Sequence, residues 1–108
     1  MHCRVSTFQG TPERLDDVLL YVKDEVVPEL SKLEGFKGIA THVNRSNGKF
    51  MSMSFWDARE DMERSRSVAD ERRSKGGEEL GASLLSVDEY EVGQRLDAAG
   101  RATLHLSE

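Results

Sequence analysis

The chain has 108 residues, 37% of them hydrophobic, enough for one folded domain with a core of its own. Its 15 Lys and Arg against 20 Asp and Glu leave a net charge of −5. This argues against nucleic acid or an anionic membrane as a partner, since both attract a basic footprint, and basic spots such as Arg72-Arg73 are surrounded by acids. The single cysteine, Cys3, excludes an internal disulfide framework. No run reaches the ~18 apolar residues of a membrane span and no signal-peptide pattern opens the chain, so a cytoplasmic protein is expected.

His2 to Phe8 alternates β formers and predicts a first strand, ended by Gln9-Gly10. Thr11 as cap, Pro12 at the first helical position and the acids Glu13, Asp16 and Asp17 then predict a helix. Leu15, Val18, Leu19, Val22, Val26, Leu30 and Leu33 form its apolar stripe. Pro28 lacks an amide hydrogen and crowds the carbonyl four residues back, so a kink or restart is expected near Glu25 to Val27.

Gly35 to Asp57 reads as a β-hairpin turning at Asn47-Gly48, a pair suited to a type I′ turn. That turn sets Val43 opposite Ser52, Thr41 opposite Ser54 and Ile39 opposite Trp56 on one face. The other face carries Asn44/Met51, His42/Met53 and Ala40/Phe55. Neither face is wholly polar, so a sheet covered on both sides is expected. Asp57 with Glu60 has capping-box spacing and predicts a second helix, with Ala58, Met62, Val68 and Ala69 as a thin apolar stripe. The glycine pair Gly76-Gly77 predicts a break, followed by a last helical piece through Glu78 to Ala82. Val87 to Arg95 reads as the final strand. In the tail, Ala102, Leu104 and Leu106 alternate, which suits an edge strand or a contact with a partner.

The order β-α-β-β-α-β is that of an α+β, ferredoxin-like antiparallel sheet with both helices on one face. Residues 1–95 form its single domain and 96–108 a C-terminal tail. The second sheet face still carries apolar residues, so two copies pressing sheet to sheet, a homodimer, is the expected assembly.

Trp56 offers an indole N–H that could meet a substrate carbonyl or enolate, or could simply anchor the sheet against the second helix. Thr41, Ser52 and Ser54 share its face, and three small side chains leave volume beneath the helices for a small ligand unless the leucines and valines fill it. His42 is assigned to the subunit interface. No carboxylate or second histidine stands at ligand spacing from any of the three histidines, so no metal site is expected.

Four segments carry a family resemblance: Val26-Val27-Pro28-Glu29-Leu30, Leu33 to Gly38, Phe55 to Asp61, and Tyr90-Glu91-Val92. The chain resembles the dimeric α/β-barrel superfamily and, within it, the antibiotic-biosynthesis-monooxygenase-like branch, over residues 2 to 95. The resemblance implies a dimeric α/β barrel and, in an enzyme, cofactor-independent monooxygenation of aromatic polyketide-type substrates. Trp56 matches the strand-three tryptophan of the anthrone monooxygenases, while Ser52 and Met62 stand where those enzymes carry an asparagine and a tyrosine. Positions that carry a tryptophan and a histidine in haem degraders hold Arg66 and Gly76, which disfavours haem chemistry. On this resemblance Trp56 and Ser52 are the catalytic candidates, and Thr41, Ser54 and Met62 the substrate-binding ones. No cofactor is implied, and the ligand is a small aromatic. The alternative is a non-enzymatic ligand-binding or structural dimer that keeps the fold without catalysis.

Overall fold

A computed structural model of the chain describes residues 1–104 and 106. Strand β1 (His2–Gln9) leads through a 3₁₀ turn (Pro12–Arg14) into α1 (Leu15–Tyr21), a π turn (Val22–Val26) and α2 (Val27–Leu30). The hairpin β2 (Phe36–Val43) and β3 (Lys49–Trp56) follows, then α3 (Arg59–Arg64), α4 (Arg66–Leu80) and β4 (Ser83–Glu91). The strands form one antiparallel sheet in the order β2-β3-β1-β4. This is the expected α+β, ferredoxin-like arrangement. Among the described residues no helix is long and apolar enough to cross a membrane.

The helices cover one sheet face and bury two apolar clusters there. Phe8, Leu15, Val18, Phe50 and Leu80 form the first, with Phe8 and Phe50 stacked at 4.8 Å between ring centroids. Leu30, Trp56 and Met62 form the second, where Phe36 meets Trp56 edge to face at 5.2 Å. Completely buried, Trp56 is the largest side chain of the core, and burying such a residue stabilises the fold by a few kcal/mol, ~2–3 on an area basis.

The hairpin keeps its predicted faces but not its predicted register. Thr41 pairs with Ser52 and Ile39 with Ser54, a slip of two residues that leaves inward and outward sets unchanged, and a bulge between Phe36 and Gly38 then sets Phe36 opposite Trp56. The cause is the Asn44 side chain, whose Oδ1 accepts from the Ser46 amide at 3.0 Å and the Ser46 hydroxyl at 2.7 Å. This Asx turn opens a wider loop closed by the Asn44 amide on the Lys49 carbonyl at 2.8 Å. A type I′ turn is ruled out because Asn47 does not take a positive φ; only Gly48 does, at +80°.

The first helix is interrupted where expected, just before Pro28: the chain widens into the π turn Val22–Val26 and restarts as α2 at Val27, which accommodates a carbonyl that Pro28 cannot satisfy. Helix α3 starts one residue later than its predicted box: Asp61 Oδ2 accepts from the Ala58 amide at 3.2 Å. Asp57 is held on the strand side by its amide on the Gly35 carbonyl at 2.8 Å. Gly35 has φ +81°, and a Cβ there would fall on the Asp61 carboxylate.

Helix α4 runs through Gly76-Gly77 without a break and ends at Gly81 in the left-handed conformation. The interruption lies earlier, at the fully buried Ser65, whose hydroxyl donates to the Met62 carbonyl at 2.6 Å. Strand β4 begins four residues before the predicted strand, at Ser83. The tail does not extend this sheet. Its segments β5 (Gln94–Leu96) and β6 (Ala102–Leu104) pair with each other in a two-stranded sheet of their own.

Candidate functional site

Cross-strand pairing arranges the helix-facing side of the sheet in rows. Val43, Phe50, Phe8 and Leu84 form an apolar row, and Ile39, Ser54, Arg4 and Glu89 a polar one. Between them runs Thr41-Ser52-Ser6-Val87, in which three neighbouring side chains are small hydroxyls. Large side chains on either side hold the helices off the sheet, and the middle row does not reach up to meet them. The result is a cavity of about 80 Å³ between sheet and helices. Its floor is Ser6, Ser52 and Ser54, and its apolar walls include Phe8, Phe50, Val18 and Leu80. The far side is formed by Tyr21, Val22 and Val26 facing Arg72, Arg73 and Gly76.

The five candidate residues separate into two groups. Ser52 and Ser54 line the cavity. Thr41 lies beside it, with Oγ1 3.4 Å from Ser52 Oγ, and orients that hydroxyl from outside. Trp56 and Met62 belong to the second apolar cluster and do not line the cavity. The indole Nε1 of Trp56 donates to Ser54 Oγ at 3.0 Å, so the donor is already engaged within the protein. Met62 supplies a backbone carbonyl to Arg4 Nη2 at 2.8 Å. The structure therefore joins Trp56 to the cavity through Ser54 and through lining residues of its own apolar cluster, Leu30, Val26 and Ile39.

The sequence reading passed over the residues that set the electrostatics. Arg4 is buried, yet every side of its guanidinium is met: by Ser65 Oγ at 3.0 Å, the Met62 carbonyl and Glu89 Oε2 at 2.9 Å. Glu89 is shared with Arg66, and the Arg66 guanidinium, then that of Arg4, hold its carboxyl below the ordinary glutamate range. Arg73 pairs with the exposed Asp70 and places Nη1 3.5 Å from Ser6 Oγ. Burial pushes its guanidinium downward and Asp70 opposes this; arginine remains cationic all the same. Tyr21 donates to the Arg72 carbonyl at 3.0 Å, and burial raises its phenol, so it serves as a donor rather than a base. Arg4 could have been noticed as a charge at period two from Ser6 and Phe8, at a position that the alternation turns inward.

The cavity thus offers hydroxyl donors, an apolar wall and guanidinium groups along one side. Among the described residues no Asp, Glu or His lines it. It can hold a flat apolar molecule and stabilise negative charge on one end of it. Among the described residues no three His, Cys, Asp or Glu side chains gather closely enough to hold a metal ion.

Comparison with known proteins places this fold. An uncharacterised protein of Mycobacterium tuberculosis H37Rv, Rv2558, is 33% identical over 90 residues, covering 82% of this chain and 38% of that protein. The chain thus spans about two fifths of the length of the curated relatives it matches. Among solved structures, a Deinococcus radiodurans protein put forward as an antibiotic biosynthesis monooxygenase superposes with a TM-score of 0.70 at 16% identity, over 93% of this chain and 100% of that one. SnoaB, a cofactor-independent oxygenase from Streptomyces nogalater, gives 0.62 at 12% identity, over 90% and 95%. At these identities the likeness is one of fold. The family model for antibiotic biosynthesis monooxygenase matches residues 1–72, two thirds of the chain from β1 into α4, and the protein belongs to that family.

Proposed function

We propose that the protein is a homodimeric small-molecule-binding member of its family that acts as a cofactor-independent monooxygenase on an acidic, hydroxylated aromatic of polyketide type. The observation that carries this reading is the cavity: an apolar slot over Ser6, Ser52 and Ser54, flanked by Arg72 and Arg73. In such a reaction a CH₂ group beside an aromatic carbonyl becomes C=O, one atom of O₂ entering the product and the other leaving as water. The substrate's own enolate supplies the electrons. The protein's part is to exclude water, to donate hydrogen bonds and to favour the anion. Ser52, steadied by Thr41, and Ser54, steadied by Trp56, are the donors for that task, and the nearby guanidinium groups lower the cost of the negative charge. With no carboxylate or imidazole in the lining, the substrate must bring its own acidity.

That same lack of a base, with the Trp56 donor engaged by Ser54, favours a second reading: a dimer that binds the aromatic without turning it over. Oxygen uptake separates the two. Purified protein is offered hydroxyanthrones and other hydroxylated aryl ketones that carry an acidic CH₂ group, with melting temperature and dissolved oxygen followed in parallel. A ligand-dependent rise in melting temperature with oxygen consumption above the no-enzyme rate supports the enzyme. A rise without consumption supports the binder, and no rise with any compound overturns both.

The dimer rests on the uncovered sheet face. Val5, Ala40, Met51, Met53 and Phe55 lie there by strand alternation, all only partly buried in the single chain. A second copy laid on this face would complete the covered sheet that the sequence pattern calls for.

A further inference from the structure

The cavity volume of about 80 Å³ is well below the ~300–1,000 Å³ of sites for drug-sized ligands, so a fused-ring ligand needs a wall to move. The structure marks one seam where this is easy. Tyr21, at the end of α1, lies against α4 at Gly76, where a Cβ would stand 2.8 Å from its ring carbon Cε2. Its hydroxyl ties the two helices by one hydrogen bond, 3.0 Å to the Arg72 carbonyl. Tyr21 is half-buried and at the same time part of the cavity lining, so it borders both the cavity and solvent.

Both supports of this contact are soft. Immediately after Tyr21 the helix widens into the π turn Val22–Val26, whose Val22 and Val26 also line the cavity, and π turns are rare departures from the α-helix that recur at functional sites. On the other side α4 carries Gly76-Gly77 in its interior, a pair that weakens a helix by about 1 kcal/mol per glycine relative to alanine. The sequence tolerates that weakness at Gly76 because any larger residue would displace the Tyr21 ring.

We propose that Tyr21 is the gate of this cavity and sets the ring count of the ligand it admits, the ring swinging outward as the π turn and the Gly76 segment yield. The inference rests on the reading of the cavity as a ligand site. Its test uses phenol, naphthol and hydroxyanthraquinone as probes, with binding followed by stopped-flow fluorescence of the protein and by thermal shift on the full chain. Tyr21→Phe keeps the ring and removes the tie, and is expected to speed association about fivefold, the effect of one net hydrogen bond. Tyr21→Ala opens the seam and is expected to bind hydroxyanthraquinone more tightly than wild type, by tenfold or more relative to phenol. Gly76→Ala, which pushes the ring out, is expected to follow Tyr21→Ala in its ring-count preference. Should Tyr21→Ala fail to fold, the Tyr21→Phe association rate decides. Equal association rates and one ring-count preference in all folded variants overturn the gate while leaving the cavity as a ligand site. Absence of binding by every protein, wild type included, overturns the ligand site and the gate with it.

Discussion

The indole Nε1 of Trp56 donates to the hydroxyl of Ser54, 3.0 Å away and two residues earlier on the same strand. The bond engages the indole donor within the protein and ties the tryptophan to one residue of the cavity floor.

Replacing Trp56 by Phe keeps an aromatic ring but removes this donor and part of a fully buried side chain. The expected loss of stability is about 1–3 kcal/mol, read as a fall in melting temperature of roughly 4–8 °C per kcal/mol for a domain of this size. Ligand affinity should fall by less than tenfold, because only the orientation of Ser54 is affected. A variant with normal melting temperature and no turnover would instead make the indole a direct donor to substrate.

Arg4 is the most committed charge in the molecule. Arg4→Met takes one donor each from the Ser65 hydroxyl, the Met62 carbonyl and Glu89, of which the last two keep Ser65 and Arg66, and the expected cost is about 1–3 kcal/mol, that of buried polar groups left short of a partner. Urea unfolding should show the drop as a lower midpoint with an unchanged slope. The double variant Arg4→Met with Glu89→Gln should cost less than the sum of the two single changes, since the Arg4–Glu89 pair is then lost only once.

Glu89 also gives the fold a pH dependence. Its carboxyl is held below the ordinary glutamate range by Arg66 and Arg4, so its contribution is present above the unfolded-state value and is lost as pH falls through the folded-state value. Stability should therefore be flat from neutral pH down to the ordinary glutamate range and decline below it. In Glu89→Gln the decline should be shallower, as measured by melting temperature across acidic buffers.

The uncovered sheet face can be tested independently of any ligand. Met53→Glu places a charge at the centre of that face and should convert a dimer to a monomer in light scattering, with the antiparallel sheet retained in far-UV circular dichroism. An unchanged mass in the variant, or a wild-type monomer at micromolar concentration, would refute the sheet-to-sheet dimer.

Strand alternation made the faces of β2 and β3 legible in the sequence, because a period of two survives any even slip of register. The register itself was not legible. It depends on the Asn44 side chain capturing the Ser46 backbone, and Asn47-Gly48 is the stronger local signal. The apolar stripe from Leu15 to Leu30 was equally plain, whereas the continuity of α4 through Gly76-Gly77 was not. It depends on Tyr21 packing from a distant helix, a tertiary contact that overrides propensity. Of the cavity, Ser52 and Ser54 could be named from one strand. Ser6, Arg4 and Arg73 needed the knowledge that β1 lies between β3 and β4, and Arg72-Arg73 looked like a solvated basic spot among acids.

Gly35 and Asp61 have a consequence for how this sequence can drift. Any side chain at position 35 meets the Asp61 carboxylate, and φ there is +81°, while Asp61 caps α3 through the Ala58 amide. A change at 35 is therefore harmful twice over, by the clash and by the strained backbone. A change at 61 loses the cap and removes only the clash, and even the Asp61 Cβ stands 2.7 Å from the place a Cβ at 35 would take. Position 35 thus stays closed to side chains on every background, while position 61 drifts at the cost of the cap alone. A library of paired variants selected for folded protein should return glycine at 35 whatever residue occupies 61.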